Sequence, residues 1–156
     1  MPRGYVRKRC ESRSCVLVAA EYFGVEATAE RHLVVRDCAE RATRRDPSYA
    51  EGWRVLAQMY LSEHALRHNP LPGSLDRALS AAKRAVELDP RNERSQNALA
   101  RVHFFRHEID EFLVEAKRVI ALNPNNPTIL SGVGLNLIYA GDEDQGKILM
   151  EKAVAL

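Results

Sequence analysis

AKRAVELDP at residues 82–90 returns as AKRVIALNP at residues 116–124, so that the closing prolines stand 34 residues apart. A weaker copy, CAERATRRDP at residues 38–47, comes earlier, and MEKAVAL at residues 150–156 follows the same spacing. Self-similarity at a fixed period of this size is typical of helical solenoids, in which each unit is a helix pair. The repeat therefore predicts an all-α, right-handed solenoid of antiparallel helix pairs, with seven or eight helices and no strand.

Proline and asparagine residues mark where the predicted helices stop and restart. Pro90 and Pro124 close their repeats, and Pro47 follows Asp46 in the same way. Proline disfavours helix for the residue before it, while its fixed φ suits a helix start. Asn92 and Asn126 are good N-caps just beyond two of these prolines. We expect helices over about 28–45 and from near residues 49, 93 and 127.

The composition is that of a globular protein with a real core. The chain has 156 residues, of which 46% are hydrophobic and 28% charged, and a formal charge of +2. This near balance is unlike the strongly basic composition of most nucleic-acid-binding domains. The uncharged run from Cys15 to Ala20 is too short for a signal peptide or a membrane span. We expect a cytoplasmic protein with reduced thiols, since its three cysteines lack paired spacing.

The repeat positions carry a recognisable pattern of large and small residues. In the best unit these positions hold Trp53, Leu56, Ala57, Tyr60, Ala78, Ala82, Ala85 and Pro90. This pattern resembles the tetratricopeptide repeat (TPR), in which small residues let two helices approach and large ones fill the space opposite. The corresponding positions are Gln96, Leu99, Ala100, His103, Phe112, Ala116, Val119 and Pro124 in the next unit, and Leu130, Val133, Gly134, Leu137, Gly146, Met150 and Ala153 in the last. The resemblance implies about 3.5 to 4 repeats and a largely buried Trp53.

The repeats predict a domain organisation with one insertion. Residues 1–13 form a basic leader, and a single domain follows over 14–156. Its parts are a degenerate repeat (14–47), a repeat with an insertion near 62–74 (48–90), a repeat (91–124) and a truncated last repeat (125–156). The inserted turn, from Asn69 to Ser74, is expected to project from one face. Phe112 replaces a small residue, so its helix pair is expected to open or shift.

The elongated second repeat, with its Asn69-Pro70-Leu71-Pro72 loop, is similar to the TPR tails of some bacterial class III adenylate cyclases and related transcriptional regulators. This resemblance implies a regulatory or docking segment in bacterial signalling. The TPR resemblance also implies a test for one subtype, the clamp for chaperone carboxyl termini. The clamp positions read Arg54, Gln58, Ala98, Thr128 and Gly132, of which only Arg54 fits, so that subtype is not expected.

No catalytic constellation is visible in the sequence. It has no Gly-rich phosphate loop, no nucleophile beside an obvious base and no paired carboxylates, so we expect neither an enzyme nor a cofactor. His64 and His68 are four residues apart, as are His103 and His107. Two histidines on one helical face can hold a metal. However, His103 stands at a helix-packing position and His107 in a turn, so we expect structural histidines and no metal site.

The expected function is a non-catalytic protein–protein interaction scaffold, because the first helices of repeat units line a concave binding surface. Helical spacing gives eight candidate peptide-binding residues: Arg54, Gln58, Arg94, Asn97, Arg101, Phe104, Phe105 and Tyr139. Leu61, Thr128, Ser131, Leu135 and Ile138 face the same way. The arginines favour an acidic peptide or a carboxyl group. Phe104 and Phe105 could equally pack against the next unit.

Two other contacts follow from the ends of the sequence. The basic leader is either solvated or binds an acidic surface, which gives the alternative function of a DNA-linked regulatory module. A salt-dependent shift with DNA that is lost on deleting residues 1–13 would support this alternative. Ile148, Leu149, Val154 and Leu156 have little sequence left to cover them. We therefore expect either that the chain is a piece of a longer repeat protein or that it self-associates through the carboxyl-terminal helix.

Overall fold

The computed structural model describes residues 15–24 and 27–156. The basic leader and Cys10 lie outside these residues. Within them are eight helices and no strand, which confirms the all-α prediction. In chain order the helices are α1 (Cys15–Gly24), α2 (Ala29–Arg45), α3 (Ala50–Ala65), α4 (Ser74–Leu88), α5 (Glu93–Phe105), α6 (Ile109–Leu122), α7 (Pro127–Tyr139) and α8 (Glu143–Ala155).

The predicted helix starts are confirmed, with side-chain caps at several of them. Asn92 caps α5 by accepting the backbone N–H groups of Arg94 and Ser95. Asn126 caps α7 by accepting the backbone N–H group of Ile129, and Pro127 occupies the first turn. Thr28 caps α2. Such caps satisfy backbone donors that would otherwise lack an intrahelical partner.

The helices form two compact units divided after Pro90, at a predicted repeat boundary. In the first unit, small side chains line the contact between α3 and α4. Ala57 and Ala78 are both fully buried there, as the repeat pattern predicts.

The second unit has its own apolar core, which contains Phe112, Leu130, Val133 and Leu137. Glycines allow α7 and α8 to approach closely. A Cβ added to Gly146 would lie only 2.6 Å from the carbonyl oxygen of Gly134. Here too the small residues of the repeat pattern sit where two helix backbones meet.

Trp53 is largely but not completely buried, and its indole Nε1 donates a hydrogen bond to the Pro47 carbonyl oxygen at 3.0 Å. Trp53, Leu56 and Tyr60 line one side of an open groove of about 300 Å³, whose other side is α4. Because the helices do not close over it, the indole keeps contact with solvent.

The inserted loop does not simply project. Helix α3 ends at Ala65 with Leu66 as its C-cap, and the chain then turns back onto α2. The side-chain amide of Asn69 donates to the Ala29 carbonyl oxygen at 2.6 Å. Pro70, Leu71 and the residues up to Gly73 are exposed, so only the tip of the loop faces outward.

No helix in the described ranges is both long and apolar enough to cross a lipid bilayer.

Candidate functional site

A solvent-facing stripe runs along α5 and α7, the first helices of the two pairs in the second unit. We call it the first-helix stripe. Its residues are Arg94, Asn97, Arg101 and Phe105 on α5, and Thr128, Ser131, Leu135 and Tyr139 on α7, each set one repeat from the other. The two helices are joined at their starts, where the Asn126 amide donates to the Glu93 carboxylate at 2.8 Å. The repeat thus places equivalent side chains side by side.

The α7 half of the stripe is unusually apolar for an exposed surface. Tyr139 is 73% exposed and Leu135, one turn earlier on the same face, is 43% exposed. Thr128 and Ser131 continue the stripe with short polar side chains. An aromatic and an aliphatic side chain exposed together, with a polar border, have the composition of a contact surface.

Arg101 supplies the cationic part of the stripe. Among residues 15–24 and 27–156, no hydrogen bond or ion pair engages its guanidinium group. Burial by the surrounding protein lowers the pKa of Arg101 below its ordinary value, although the group stays charged at neutral pH. The side chain is nevertheless partly exposed. A charge that is desolvated but unpaired gains more from an incoming carboxylate than a fully hydrated one.

The sequence left open whether Phe104 and Phe105 face a ligand or pack against the next unit. Phe104 packs against the core of the second unit, with its ring centroid 5.5 Å from that of Phe112. Phe105 meets Phe104 edge to face at 5.4 Å and remains half-buried on the stripe. Phe104 therefore packs into the core of the second unit, and Phe105 lies beside it on the stripe.

The two candidates in the first unit are engaged with each other. Arg54 is almost fully buried, with Nε donating to the Glu51 carboxylate at 2.5 Å and Nη1 donating to the Gln58 side-chain oxygen at 2.7 Å. Its charge is therefore already balanced by Glu51. Arg94, in the second unit, is exposed. Of the three arginines, Arg101 is therefore the one that would gain most from binding an anionic group.

The histidines take structural positions. The His103 ring donates from Nδ1 to the Glu108 carboxylate at 2.7 Å, and this hydrogen bond, together with one from Arg106, holds the pKa of Glu108 below its ordinary value. His107 occupies the turn with a positive φ of 60°. His68 lies 2.9 Å from the Tyr22 hydroxyl. In the part of the chain that the structure describes, no three His, Cys, Asp or Glu side chains converge in a way that could hold a metal ion.

Sequence reasoning missed Glu63, a charge of the first unit with arginine partners on two helices. It is fully buried on α3 and accepts hydrogen bonds from Arg36 on α2 and Arg77 on α4. Arg77 also lies over the Tyr60 ring, 4.3 Å from its centroid. An acid amid apolar helical positions was the available signal, because a buried carboxylate requires partners.

Comparison with solved structures defines the class of fold. The structure is similar over 98% of its length to the crystal structure of TTC0263, a thermophilic TPR protein in Thermus thermophilus, with a TM-score of 0.67, 20% sequence identity and 86% of that chain covered. It is also similar to the crystal structure of MamA, with a TM-score of 0.64, 14% identity and coverage of 98% of this chain and 82% of that one. The chain therefore has the TPR solenoid fold. No family model and no curated relative matches its sequence, and at these identities the structural likeness concerns the fold alone.

Proposed function

We propose that this protein is a non-catalytic interaction scaffold that binds a peptide or a partner domain on the first-helix stripe of its second unit. The observation that carries the proposal is the pairing of an unengaged, desolvated Arg101 with the exposed Leu135 and Tyr139 on the neighbouring first helix. TPR-type solenoids offer such faces as extended binding surfaces.

The chemistry of the stripe favours an acidic ligand with an apolar residue nearby. A guanidinium group binds a carboxylate through two parallel N–H donors. The tyrosine ring offers a large, rigid apolar surface with a polar end, a common feature of interface hot spots. The ligand we expect is therefore a peptide segment with a side-chain or terminal carboxylate close to an aliphatic or aromatic residue.

A peptide-binding experiment tests this proposal. The probes are labelled short peptides that combine Glu or a free carboxyl terminus with Leu or Phe, each paired with a Gln or amidated version. Arg101→Glu and Tyr139→Ala should each weaken the best peptide at least about tenfold, since a charged hydrogen bond contributes about 1.5–3 kcal/mol. Lys117→Glu is the matched control, because it makes the same charge change at an exposed residue of α6.

The outcome that contradicts the proposal is equally specific. If the selected peptides bind Arg101→Glu and Tyr139→Ala as tightly as the wild type, the stripe is not the binding surface. If they lose affinity equally in Lys117→Glu, net charge rather than a site governs the binding. Preference for the Gln or amidated peptides would contradict the acidic ligand while leaving the surface in place.

We infer in addition that the scaffold is a regulatory segment of a signalling protein. The support is the resemblance of the elongated second repeat, with its Asn69-Pro70-Leu71-Pro72 loop, to regulatory TPR tails. The full open reading frame tests this inference. A catalytic or transcriptional domain encoded in the same frame supports it, and a frame that encodes the repeats alone contradicts it.

Self-association through α8 is the remaining part of the proposal. Ile148, Val154 and Leu156 are exposed, with Val154 89% exposed, and exposed apolar side chains of this kind favour a contact. Leu149, which the sequence grouped with them, is instead buried in the core of the second unit. Sedimentation at micromolar concentration should show an associated wild type and a monomeric Val154→Glu variant. A wild type that stays monomeric contradicts this part, and Lys152→Glu controls for added charge on the same helix.

A further inference from the structure

The inserted loop of the first unit, residues 66–73, contacts the first helix pair (α1 and α2) through two neighbouring residues. His68 forms a hydrogen bond with the Tyr22 hydroxyl on α1 at 2.9 Å, and Asn69 forms hydrogen bonds with α2. The side-chain nitrogen of Asn69 donates to the Ala29 carbonyl oxygen at 2.6 Å, and the main-chain carbonyl oxygen of Asn69 accepts from Arg36 Nη1 at 3.3 Å. Its φ is +49°, a conformation that asparagine tolerates better than most residues. Asn69 is thus both one of the turn residues of the loop and its attachment to α2.

His32 on α2 completes the attachment in one protonation state. The ring is fully buried, and its Nε2 lies 2.9 Å from the Met59 carbonyl oxygen. Because a carbonyl oxygen only accepts, Nε2 carries the proton. In the neutral ring Nδ1 then has a lone pair, and it faces the side-chain nitrogen of Asn69 at 3.4 Å.

A second proton on His32 is incompatible with this arrangement. It would place an N–H on Nδ1 against the N–H groups of Asn69. Rotating the Asn69 amide would relieve that contact but would turn its oxygen towards the Ala29 carbonyl oxygen, which also only accepts. Either way one attachment of the loop is lost, so the neutral imidazole fits the closed loop and the imidazolium does not.

The surroundings of His32 also favour the neutral ring. Burial lowers the pKa of His32 below its ordinary value of 6.5, and the charges of Arg36 and His68 act in the same direction, against the opposing effects of the Met59 carbonyl group and Glu63. The His32 and His68 rings are 6.0 Å apart. Two imidazolium ions so close together would repel each other.

The other ionisable groups near His32 do not supply a compensating negative charge. Glu63, from α3, already accepts from Arg36 and from Arg77 of α4. Tyr22, from α1, lies against His68, and burial raises the pKa of its hydroxyl, so it is neutral throughout the acid range. A proton on His32 therefore has no unpaired anion to balance it.

We propose that His32 and Asn69 form a latch that holds the inserted loop on the first helix pair near neutral pH and releases it in acid. The open state takes up the proton more readily than the closed state. Stability of the closed loop is therefore fully present above about pH 6.5 and falls as the pH drops below that value. Between the pKa of the open state and the lower pKa of the closed state, each unit of acidification raises the open population by up to about tenfold.

Hydrogen exchange of the full chain, followed by mass spectrometry over the loop at pH 7.5, 6.5 and 5.5, tests the latch. Variants are compared with wild type at the same pH, so that the intrinsic pH dependence of exchange cancels. His32→Gln keeps an N–H donor for Met59 but cannot titrate in this range. We expect similar protection at pH 7.5, and at pH 5.5 about tenfold faster exchange in wild type than in His32→Gln. His68→Gln should respond to acid as wild type does.

Two results would overturn the latch. One is a wild-type loop that stays protected at pH 5.5. The other is a loop that still exchanges faster in acid in the His32→Gln variant. If that acid response is lost in His68→Gln, the titrating group is His68 instead. Asn69→Gly gives an independent check if His32→Gln does not fold, because glycine accepts the positive φ but lacks the amide. Its loop should exchange rapidly already at pH 7.5 and should show no further acid response, and a protected loop would contradict the proposal.

Discussion

The two helix pairs of the second unit carry side chains of very different size at equivalent repeat positions. In the α5–α6 pair, Ala100 and Phe112 are both fully buried in the core. In the α7–α8 pair, the corresponding residues are Gly134 and Gly146, and a Cβ on either would come within 2.8 Å or less of the other's carbonyl oxygen. One pair must leave room for a benzyl group, and the other brings two backbones into contact. A common repeat pattern therefore fixes the pairing of helices, while the residue at one position sets their local separation.

The turns of the two pairs differ at one equivalent position as well. His107 has a φ of 60° in the turn between α5 and α6, and Gly141 has a φ of 97° in the turn between α7 and α8. Both turns therefore need a residue in the left-handed conformation. Glycine adopts it without strain, but only the second turn has a glycine there. Backbone hydrogen bonds nevertheless hold the turn at His107, from its own N–H to the Phe104 carbonyl oxygen and from the Glu108 N–H to the His103 carbonyl oxygen.

The largest effect we expect is from Phe112→Ala. A cavity in place of the buried ring should reduce the free energy of unfolding by about 3–5 kcal/mol, measured by urea denaturation. The exposed Val114 on the same helix is the control, and Val114→Ala should change stability by less than about 0.5 kcal/mol. A cost below about 1 kcal/mol for Phe112→Ala would show that α6 closes onto α5 and that the ring does not set their separation.

Trp53 and Leu130 extend the comparison to the first position of the repeat pattern. Leu130 is fully buried, whereas part of the Trp53 side chain reaches solvent. Leu130→Ala should cost about 2–5 kcal/mol, and Trp53→Ala about 1–3 kcal/mol, since part of the indole surface is already in water. Urea denaturation curves of both variants measure the two losses, and a larger loss for Trp53→Ala would contradict this order.

Gly146→Ala tests the backbone contact of the α7–α8 pair. The added methyl group must push the helices apart, which costs about 1–3 kcal/mol, while alanine returns up to about 1 kcal/mol of helix propensity. We expect a net loss of about 1 kcal/mol in thermal or urea unfolding. Gly132→Ala is the matched control on α7, because nothing lies within 4 Å of its added Cβ; it should instead gain about 0.5–1 kcal/mol. If both variants lost stability, or both gained it, the backbone contact between Gly134 and Gly146 could not explain the effect of Gly146→Ala.

The smallest expected effect concerns the turn. His107→Gly should raise the free energy of unfolding by up to about 1 kcal/mol, because glycine adopts the positive φ without the Cβ clash. Gly141→Ala should lose a similar amount in the equivalent turn. Both changes are measurable by thermal unfolding. A loss of stability in His107→Gly would mean that the imidazole itself makes a contact that the backbone argument omits.

Much of this fold follows from local rules that can be read along the chain. The helix starts near residues 49, 93 and 127 depend on proline, on asparagine caps and on 3.6-residue periodicity, all of which act within a few residues. The small residues at the helix contacts follow from the repeat itself. For the same reason, the stripe on α5 and α7 could be predicted from helical spacing, since residues 34 apart occupy equivalent places.

Which of the candidate residues already have hydrogen-bond or salt-bridge partners could not be predicted in this way. Arg54 and Arg101 are both arginines on first helices, but Arg54 is balanced by Glu51 and Arg101 is not. The exposure of Trp53 likewise depends on how α3 and α4 diverge around it. Burial and pairing depend on several elements at once, so a pattern on one helix does not contain them.

The sequence by itself thus determined the helix pairs, their order and the TPR class, because period, capping and proline act locally. Tertiary structure decided which of the candidate side chains has no partner, how far the glycine pair brings α7 and α8 together, and where the inserted loop lies. The loop shows the physical reason most clearly. Its anchor, Asn69, meets Ala29 and His32, about forty residues earlier in the chain, and contacts between such distant residues exist only once the helices have packed.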